Sequence, residues 1–260
     1  FFRYHSVYRH TIPTNSALFY GQIKLVHNTS GSMFESFTNN GYITGFFKDA
    51  WEGTSNKFNT TELNLNQWDH MGGAITWDPS YENPAAFSLQ FFQGRNSVIT
   101  RWYYGQEMHN IQIDYLKQFW AAYPDNRKFF RTHFSEAHEA TGELIGYIDE
   151  DIRDLLEYFY NMGYLEDTMI TFLSDHGTHD FTLRFPILPD DSRYIENYYP
   201  FLFHITKNDI PEVSRRSLKA NEQAFISSHD VYSTLRSIAE NKNITSIDAE
   251  SYPYIYQQIP

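Results

Sequence analysis

Apolar residues recur at helical spacing along one long stretch of the chain. The intervals alternate between three and four residues at Ile145, Ile148, Ile152, Leu155 and Phe159. The opposite face is charged, and Gly163 stands where a helix would stop. This pattern predicts an amphipathic helix between residues 145 and 163.

Short apolar runs predict the strands of a sheet. The runs cover residues 41–47, 128–134, 168–173 and 200–205. The run at 168–173 is almost continuously apolar, which is typical of a strand buried on both faces of a parallel sheet.

Strands that alternate with helical patterns predict the fold class. A short helix is predicted within residues 11–21, a longer one over 106–123, and a last one from Ser227 or Ser228 onward. Such alternation favours an α/β fold with a doubly wound, mostly parallel sheet and helices on both faces. We expect residues 1–260 to form one domain of this kind.

Composition and charge narrow the classes of partner. The 260 residues are 41% hydrophobic and 18% aromatic, with a formal net charge of −12. Because phosphate binding needs a patch of Lys and Arg, this charge argues against nucleic acid as a partner. Acidity suits a protein that holds divalent metal, although solubility alone explains most of it. The absence of cysteine excludes disulfides, a thiolate zinc site and a thiol nucleophile.

Glycosylation sequons indicate the compartment. Three occur, at Asn28, Asn59 and Asn243, and they favour an extracellular or luminal location. No run of about 18 apolar residues predicts a transmembrane helix. The chain opens at Phe1 without an initiator Met or a signal peptide, which suggests that an upstream part is missing. A membrane anchor would lie in a segment outside this chain.

The strongest candidate for chemistry is the tetrapeptide Ser-Asp-His-Gly that follows the run at 168–173. Ligands of open α/β sheets bind beyond the carboxyl ends of strands. Asp175 and His176 can there offer an oxygen and a nitrogen to one divalent ion or to two neighbouring ions. A plain turn with a capping Asp explains the triplet Asp-His-Gly equally well.

This tetrapeptide, Ser174 to Gly177, resembles a motif of the alkaline-phosphatase superfamily. That superfamily includes sulfatases, nucleotide pyrophosphatases and phosphoethanolamine transferases, and its Asp and His are metal ligands. The resemblance implies one or two divalent ions, zinc or calcium, and a phosphate or sulfate ester as substrate. It also implies further landmarks in a set order.

The first landmark is a nucleophile at the start of a helix. Thr11 fits, because Pro13 lies in the first turn and Gly21 where the helix would stop, as in the Thr-x-Pro pattern of phosphodiesterase members. A hydroxyl there lies among free N–H groups that also hold an anionic ester. An ordinary helix N-cap is the alternative reading of Thr11. Thr14 and Ser16 are weaker candidates.

The second landmark is a His-containing segment before the long helix. Its similarity to sulfatase-like proteins implies that His138 and an acidic residue bind a second metal, or that the His contacts the ester. Glu136 stands where Asp is expected, and Glu139 could replace it. Carboxylates are also favoured in the first turn of any helix, which is the structural alternative.

The third landmark is a His before the final helix. His229, within Ser-His-Asp-Val-Tyr, resembles the last metal ligand of the phosphatase branch and would bind the same ion as His138. Otherwise it is an ordinary exposed residue. Glu196 and Pro200 resemble an element that we interpret as structural. Taken in order, these landmarks resemble most closely the sulfatase-like group named domain of unknown function 229.

One part that the resemblance requires is missing. The first strand of the superfamily ends in an Asp that ligates the metal shared with the nucleophile, and residues 1–10 contain no Asp or Glu. Either the N-terminal part is absent or the metal site is degenerate. His5 and His10 are conceivable substitutes. Losing a carboxylate would weaken metal affinity severely.

Two functions follow from these patterns. The first is a metal-dependent hydrolase or transferase that acts on phosphate or sulfate esters through Thr11, with phosphate favoured because related sulfatases use a modified Cys or Ser. The second is a catalytically inactive sulfatase-like glycoprotein with a structural or interaction role, within a larger extracellular or membrane-associated assembly. A sugar-binding module built on Trp and Tyr of residues 51–104 rests on composition alone.

Overall fold

The computed structural model describes most of the chain. The described residues are 1–22, 31–48, 68–72, 102–103, 105–134, 136, 144–177, 190–207 and 210–240. Among the predicted site residues, His138 and the sequons at Asn28, Asn59 and Asn243 lie outside these ranges, as does most of 51–104. No helix within the described ranges is long and apolar enough to cross a bilayer.

Helices and short strands alternate along the described residues. The helices are α1 (Thr11–Tyr20), α2 (Met33–Asn39), α3 (Met108–Ala122), α4 (Asp149–Asn161), α5 (Asp190–Tyr198), α6 (Glu212–Asn221) and α7 (Ser228–Ala239). The strands are β1 (Tyr4–His5), β2 (Ile43–Lys48), β3 (His70–Gly72), β4 (Trp102–Tyr103), β5 (Gln106–Glu107), β6 (Lys128–His133), β7 (Ile170–Leu173), β8 (Leu202–Ile205) and β9 (Ile226–Ser227). The predicted α/β class is confirmed.

Among the described residues, three of the five strand pairs are parallel, whereas β4–β5 and β7–β8 are antiparallel. Strands β3, β2 and β6 form a parallel sheet in that order, and β1 pairs in parallel with β9. However, β7 pairs antiparallel with β8, so the parallel partner predicted for the run at 168–173 is wrong. The four residues of β7 are only half-buried. An apolar run indicates burial but not strand direction.

Helix α1 begins and ends where the sequence predicted. Pro13 is its third residue, and Gly21 follows it at φ 66° in the left-handed region. The N–H of Gly21 donates to the Ala17 carbonyl at 3.1 Å. A Cβ at Gly21 would lie 2.7 Å from the ring of Tyr232 on α7. Glycine is therefore required both for the backbone conformation and for the contact with α7.

The predicted amphipathic helix is also present, with a different start. Its first turn is a 3-10 helix, Leu144–Ile148, in which Ile145 is exposed. The α-helix proper, α4, buries Leu155 and Phe159 against α3. Gly163 follows the helix at φ 74°.

Three backbone hydrogen bonds join the elements that carry the site. Ser6 N–H donates to the Tyr198 carbonyl at 2.8 Å, and Ile226 N–H donates to the Arg3 carbonyl at 3.1 Å. Ser174 N–H donates to the Phe201 carbonyl at 3.1 Å. These bonds hold the segment before α1 beside the end of α5 and beside β9, and they hold the turn after β7 beside the start of β8.

The imidazole of His204 makes the stability of the β7–β8 pair sensitive to pH. Its Nδ1 lies 2.8 Å from the Thr171 hydroxyl, and burial lowers its pKa to about 4. Because the unfolded pKa of His is about 6.5, the unfolded chain binds more protons between pH 6.5 and 4. We expect this residue to cost about 3 kcal/mol of unfolding free energy as the pH falls through that window.

Urea titrations of the wild type and of His204→Gln, from pH 7 to pH 4, measure this contribution. The difference in stability between the two proteins should shift in favour of the variant as the pH falls. A difference that is independent of pH would show that His204 titrates normally.

Candidate active site

The turn after β7 presents Asp175 and His176 in a fixed arrangement. Ser174 Oγ donates to the His176 carbonyl at 2.6 Å, and the His176 N–H donates to Asp175 Oδ1 at 3.0 Å. These local bonds are the Asx- and Ser-type turn contacts that polar residues favour. They fix the backbone of the turn and involve only Oδ1 of Asp175, so its second carboxylate oxygen, Oδ2, makes neither bond.

Gly177 packs this turn closely against the main chain of helix α5. Its N–H donates to the Asn197 carbonyl at 2.9 Å. A Cβ at this position would lie 1.5 Å from the Glu196 carbonyl oxygen, so only glycine fits. Glu196 thus contributes its main chain to the turn, while its side chain is exposed.

Thr11 and His176 meet across 165 residues of sequence. Thr11 Oγ1 lies 3.0 Å from His176 Nε2, and His176 Nδ1 lies 2.6 Å from the Gly177 carbonyl oxygen. Because a carbonyl only accepts, the Nδ1 must carry the proton of a neutral ring. Nε2 therefore presents its lone pair to Thr11, where it can accept a proton or bind a metal.

Asp175 brings a carboxylate oxygen close to the same ring nitrogen of His176. Its Oδ2 lies 3.5 Å from His176 Nε2. The same oxygen is buried and has no hydrogen-bond partner among the described residues. Metal–ligand bonds of about 2.0–2.2 Å place neighbouring ligand atoms about 3–3.5 Å apart. The orphaned carboxylate oxygen and the ring nitrogen are therefore spaced like two ligands of one divalent ion, and Thr11 Oγ1 lies beside that nitrogen.

Thr11 is accessible, whereas the other hydroxyls of α1 are not. Its side chain is half-buried at the N-terminus of the helix, where the free N–H groups and the helix dipole favour an anion. Thr14 and Ser16 have no exposed surface. The Thr14 hydroxyl donates to the Tyr8 carbonyl at 2.9 Å. The geometry therefore favours Thr11 over both as the reactive hydroxyl.

Comparison with known proteins settles the family. The model of the family described as "Protein of unknown function (DUF229)" matches residues 22–251. The chain belongs to the DUF229 family. The match includes Asp175, His176 and His229, while Thr11 lies before its first residue. No curated protein matches this DUF229 chain.

Solved structures of other proteins share the fold of the DUF229 chain. A Bacteroides thetaiotaomicron protein, described with the metabolism of multiple glycosaminoglycans, has a TM-score of 0.61 at 13% identity over 96% of this chain and 71% of its own. The PsFucS1 sulfatase from Pseudoalteromonas sp. has a TM-score of 0.53 at 13% identity, over 92% of this chain and 59% of its own.

The lipoteichoic acid synthase LtaP from Listeria monocytogenes shares the fold as well. Its TM-score is 0.55 at 11% identity, over 92% of this chain and 62% of its own. The DUF229 chain thus spans less than two thirds of the length of both LtaP and the PsFucS1 sulfatase.

His229 lies at the start of α7 in the DUF229 chain. A capping box holds this helix end: the Ser227 side chain accepts from the Asp230 N–H, and Asp230 Oδ2 accepts from the Ser227 N–H at 2.8 Å. The adjacent Ser228 Oγ lies 3.1 Å from the hydroxyl of Tyr4. Burial and, to a lesser extent, the charge of Asp175 raise the pKa of Tyr4. The role of His229 as a metal ligand stays a prediction.

The two histidines considered as substitutes for the missing Asp differ in their surroundings. His5 packs among aromatic rings, 5.1 Å from Tyr199 and 5.2 Å from Phe225. Partial burial and the nearby Arg9 and His176 lower the pKa of His10. His10 is thus the one that lies close to the Thr11 site.

Glu136 lies in a second polar cluster that sequence reasoning missed. Its Oε1 is 3.0 Å from Nδ1 of His109, a side chain with no exposed surface. Glu107 and Asp151 approach the other ring nitrogen. No short motif links all four residues, because Glu136 and Asp151 lie 27 and 42 residues after His109. The only sequence signal for this cluster is its acidic residues near helix starts. Whether Glu136 shares an ion with His138 stays a prediction.

Proposed function

We propose that this chain is a metal-dependent hydrolase or transferase of phosphate or sulfate esters, with Thr11 as the nucleophile. The single observation that carries the proposal is the 3.0 Å contact between Thr11 Oγ1 and His176 Nε2, beside the buried Oδ2 of Asp175. Neighbours with this fold include a sulfatase and a lipoteichoic acid synthase, which supports ester chemistry as the function.

Each residue has a distinct role in this proposal. The N-terminal N–H groups of α1 hold the anionic ester. Thr11 Oγ1 forms a bond to phosphorus while the bond from phosphorus to the leaving alcohol breaks, which gives a phosphothreonine and a free alcohol. Water then releases phosphate in a hydrolase, whereas a second alcohol accepts the phosphoryl group in a transferase.

Asp175 Oδ2 and His176 Nε2 would hold the divalent ion. When bound, such an ion lowers the pKa of a neighbouring hydroxyl and offsets charge on the ester. The ring nitrogen favours zinc over calcium, which prefers oxygen ligands. A second ion would involve His138 and His229, with Glu136 as the acidic member of that set.

Phosphate esters are the favoured substrates, because Thr11 is an unmodified alcohol whereas related sulfatases use a modified Cys or Ser. We further propose an extracellular or luminal location for the protein, with glycans at Asn28, Asn59 and Asn243. Assembly with other extracellular or membrane-associated chains is compatible with both this function and the inactive alternative.

Metal removal and acid quenching together test the proposal. The purified chain, loaded with zinc, is assayed with aryl phosphate monoesters, diesters and sulfate esters. We expect turnover of a phosphate ester, loss of that turnover after chelation and its return with zinc. Acid quenching during turnover should leave one phosphoryl group on the peptide that contains Thr11.

The outcomes separate the two functions. A sulfuryl group on the Thr11 peptide would move the substrate class to sulfate esters. If the zinc-loaded chain turns over none of these esters, the proposal fails and the inactive glycoprotein is favoured.

A further inference from the structure

Helix α5 carries its apolar stripe on the solvent side. Tyr194, Ile195 and Tyr199 are between 41% and 58% exposed, whereas Asn197 is buried at 1%. The N–H of Tyr199 donates to the Ile195 carbonyl at 3.0 Å, and the rings of Tyr194 and Tyr198 are 4.6 Å apart, so these side chains share one face. A surface helix normally buries its apolar stripe. This reversal is typical of a helix that another surface covers.

Strand β8 continues the apolar surface beyond the helix. Successive side chains of a strand point to opposite sides, so Phe201 and Phe203 share one side, beginning two residues after Tyr199. Leu202, between them, is buried in the core. The rings of Phe201 and Phe203 are 5.9 Å apart and about half exposed. The outward side of this segment is therefore aromatic.

The imidazole of His5 joins one more ring to this surface. It lies 5.5 Å from the ring of Tyr198, 5.1 Å from that of Tyr199 and 5.2 Å from that of Phe225. Phe225 is itself about half exposed. We define the aromatic face as the six exposed side chains that these segments bring together: Tyr194, Ile195, Tyr199, Phe201, Phe203 and Phe225.

The area of the aromatic face matches one half of a protein–protein interface. A large side chain presents about 200 Å², so six that are about half exposed present about 600 Å². This is at the upper end of apolar patches on soluble monomers. Two such faces would bury about 1,200 Å² together, which reaches the lower bound of specific, stable interfaces before any polar rim is counted.

The charge pattern favours a second copy of this chain as the occupant. No member of the aromatic face is charged, so two copies can meet about a twofold axis without like charges at the centre. The exposed Glu196, next to Ile195, can stay hydrated at the rim. The net charge of −12 opposes an anionic membrane, whereas between two copies salt screens it beyond about 8 Å.

We propose that the chain forms a twofold-symmetric dimer in which the aromatic face packs against the same face of a second copy. The dimer would also support the turn of Asp175 and His176 from outside, because the Asn197 carbonyl of α5 accepts the Gly177 N–H at 2.9 Å. The proposal does not depend on the activity proposed for Thr11.

Sedimentation velocity of the purified chain over about 1–100 µM tests the dimer, since interfaces of this size begin in the micromolar range. We expect a dimer with a Kd within that range. Phe203→Glu places an unpaired charge in the aromatic face and should raise Kd at least about tenfold. Raising the salt from about 50 to 300 mM should lower Kd, because screening weakens the repulsion between two acidic chains.

Tyr160→Glu is the matched control, because Tyr160 is 73% exposed on α4, outside the aromatic face. It should leave Kd unchanged. The chain has no cysteine, so Ile195→Cys and Tyr160→Cys each give a single site for a nitroxide label. The label at position 195 should lose mobility as the dimer forms, whereas the label at position 160 should keep it.

Circular dichroism establishes that each variant folds, and Ile195→Glu replaces Phe203→Glu if the latter does not. A chain that stays monomeric over the whole concentration range overturns the proposal. A dimer whose Kd is the same for the wild type and the folded glutamate variant also overturns it. A monomer that floats with neutral phosphatidylcholine vesicles would assign the aromatic face to a bilayer instead.

Discussion

Replacing Thr11 by alanine is expected to lower kcat for a phosphate ester at least about a thousandfold, because the nucleophilic oxygen is lost. The zinc-loaded chain and the variant are compared at saturating aryl phosphate. Stability should change little, since Thr11 is half-buried and its side chain makes one hydrogen bond, worth about 1 kcal/mol. Covalent labelling of the Thr11 peptide should disappear with the activity.

Two further variants test whether the loss of activity is specific to the hydroxyl group of Thr11. Thr11→Ser keeps a hydroxyl at the same place and should retain activity within about tenfold of the wild type. Thr38→Ala removes an exposed threonine from α2 and should leave kcat unchanged. Activity of Thr11→Ala close to that of the wild type would exclude Thr11 as the nucleophile.

Gly177→Ala is expected to cost about 3–5 kcal/mol of unfolding free energy, because the new methyl group would collide with main chain rather than with a movable side chain. The Cβ would lie 1.5 Å from the Glu196 carbonyl oxygen. The turn must shift to accommodate it, which would also displace His176 from Thr11. Denaturation in urea at a constant m-value measures the loss, and kcat should fall in parallel.

Gly146→Ala provides the control for this substitution. A Cβ at Gly146 would meet nothing within 4 Å, so a change below about 0.5 kcal/mol is expected there. Equal stability of the two variants would show that α5 does not pack against Gly177 as closely as described.

Local patterns were sufficient to predict several elements. The start and stop of α1 were predictable because Pro13 and Gly21 have conformational preferences of their own. The apolar spacing around Leu155 predicted α4 because one face of that helix packs on α3. The pairing of Thr11 with His176 required the family resemblance, since 165 residues separate them.

Other features were beyond sequence reasoning for physical reasons. The antiparallel partner of β7 depends on how the chain returns through α5, which no residue of the run at 168–173 encodes. The cluster around His109 joins Glu107, two residues before it, to Glu136 and Asp151, which lie 27 and 42 residues after it, so no short spacing links all four. A buried histidine within an apolar helix pattern looks like any core position until its neighbours are known.

The pairing of β1 with β9 has a consequence for the order in which the protein is made. Tyr4 and His5, just before α1, lie beside Ile226 and Ser227, and Gly21 at the other end of α1 lies against Tyr232. Both supports of α1 are therefore synthesised more than 200 residues after it. During translation, α1 can pack on α2, which follows it directly, but β9 and α7 are still missing when His176 is synthesised. Contacts between such distant residues form slowly, so the pairing of Thr11 with His176 should be among the last features of this fold to assemble.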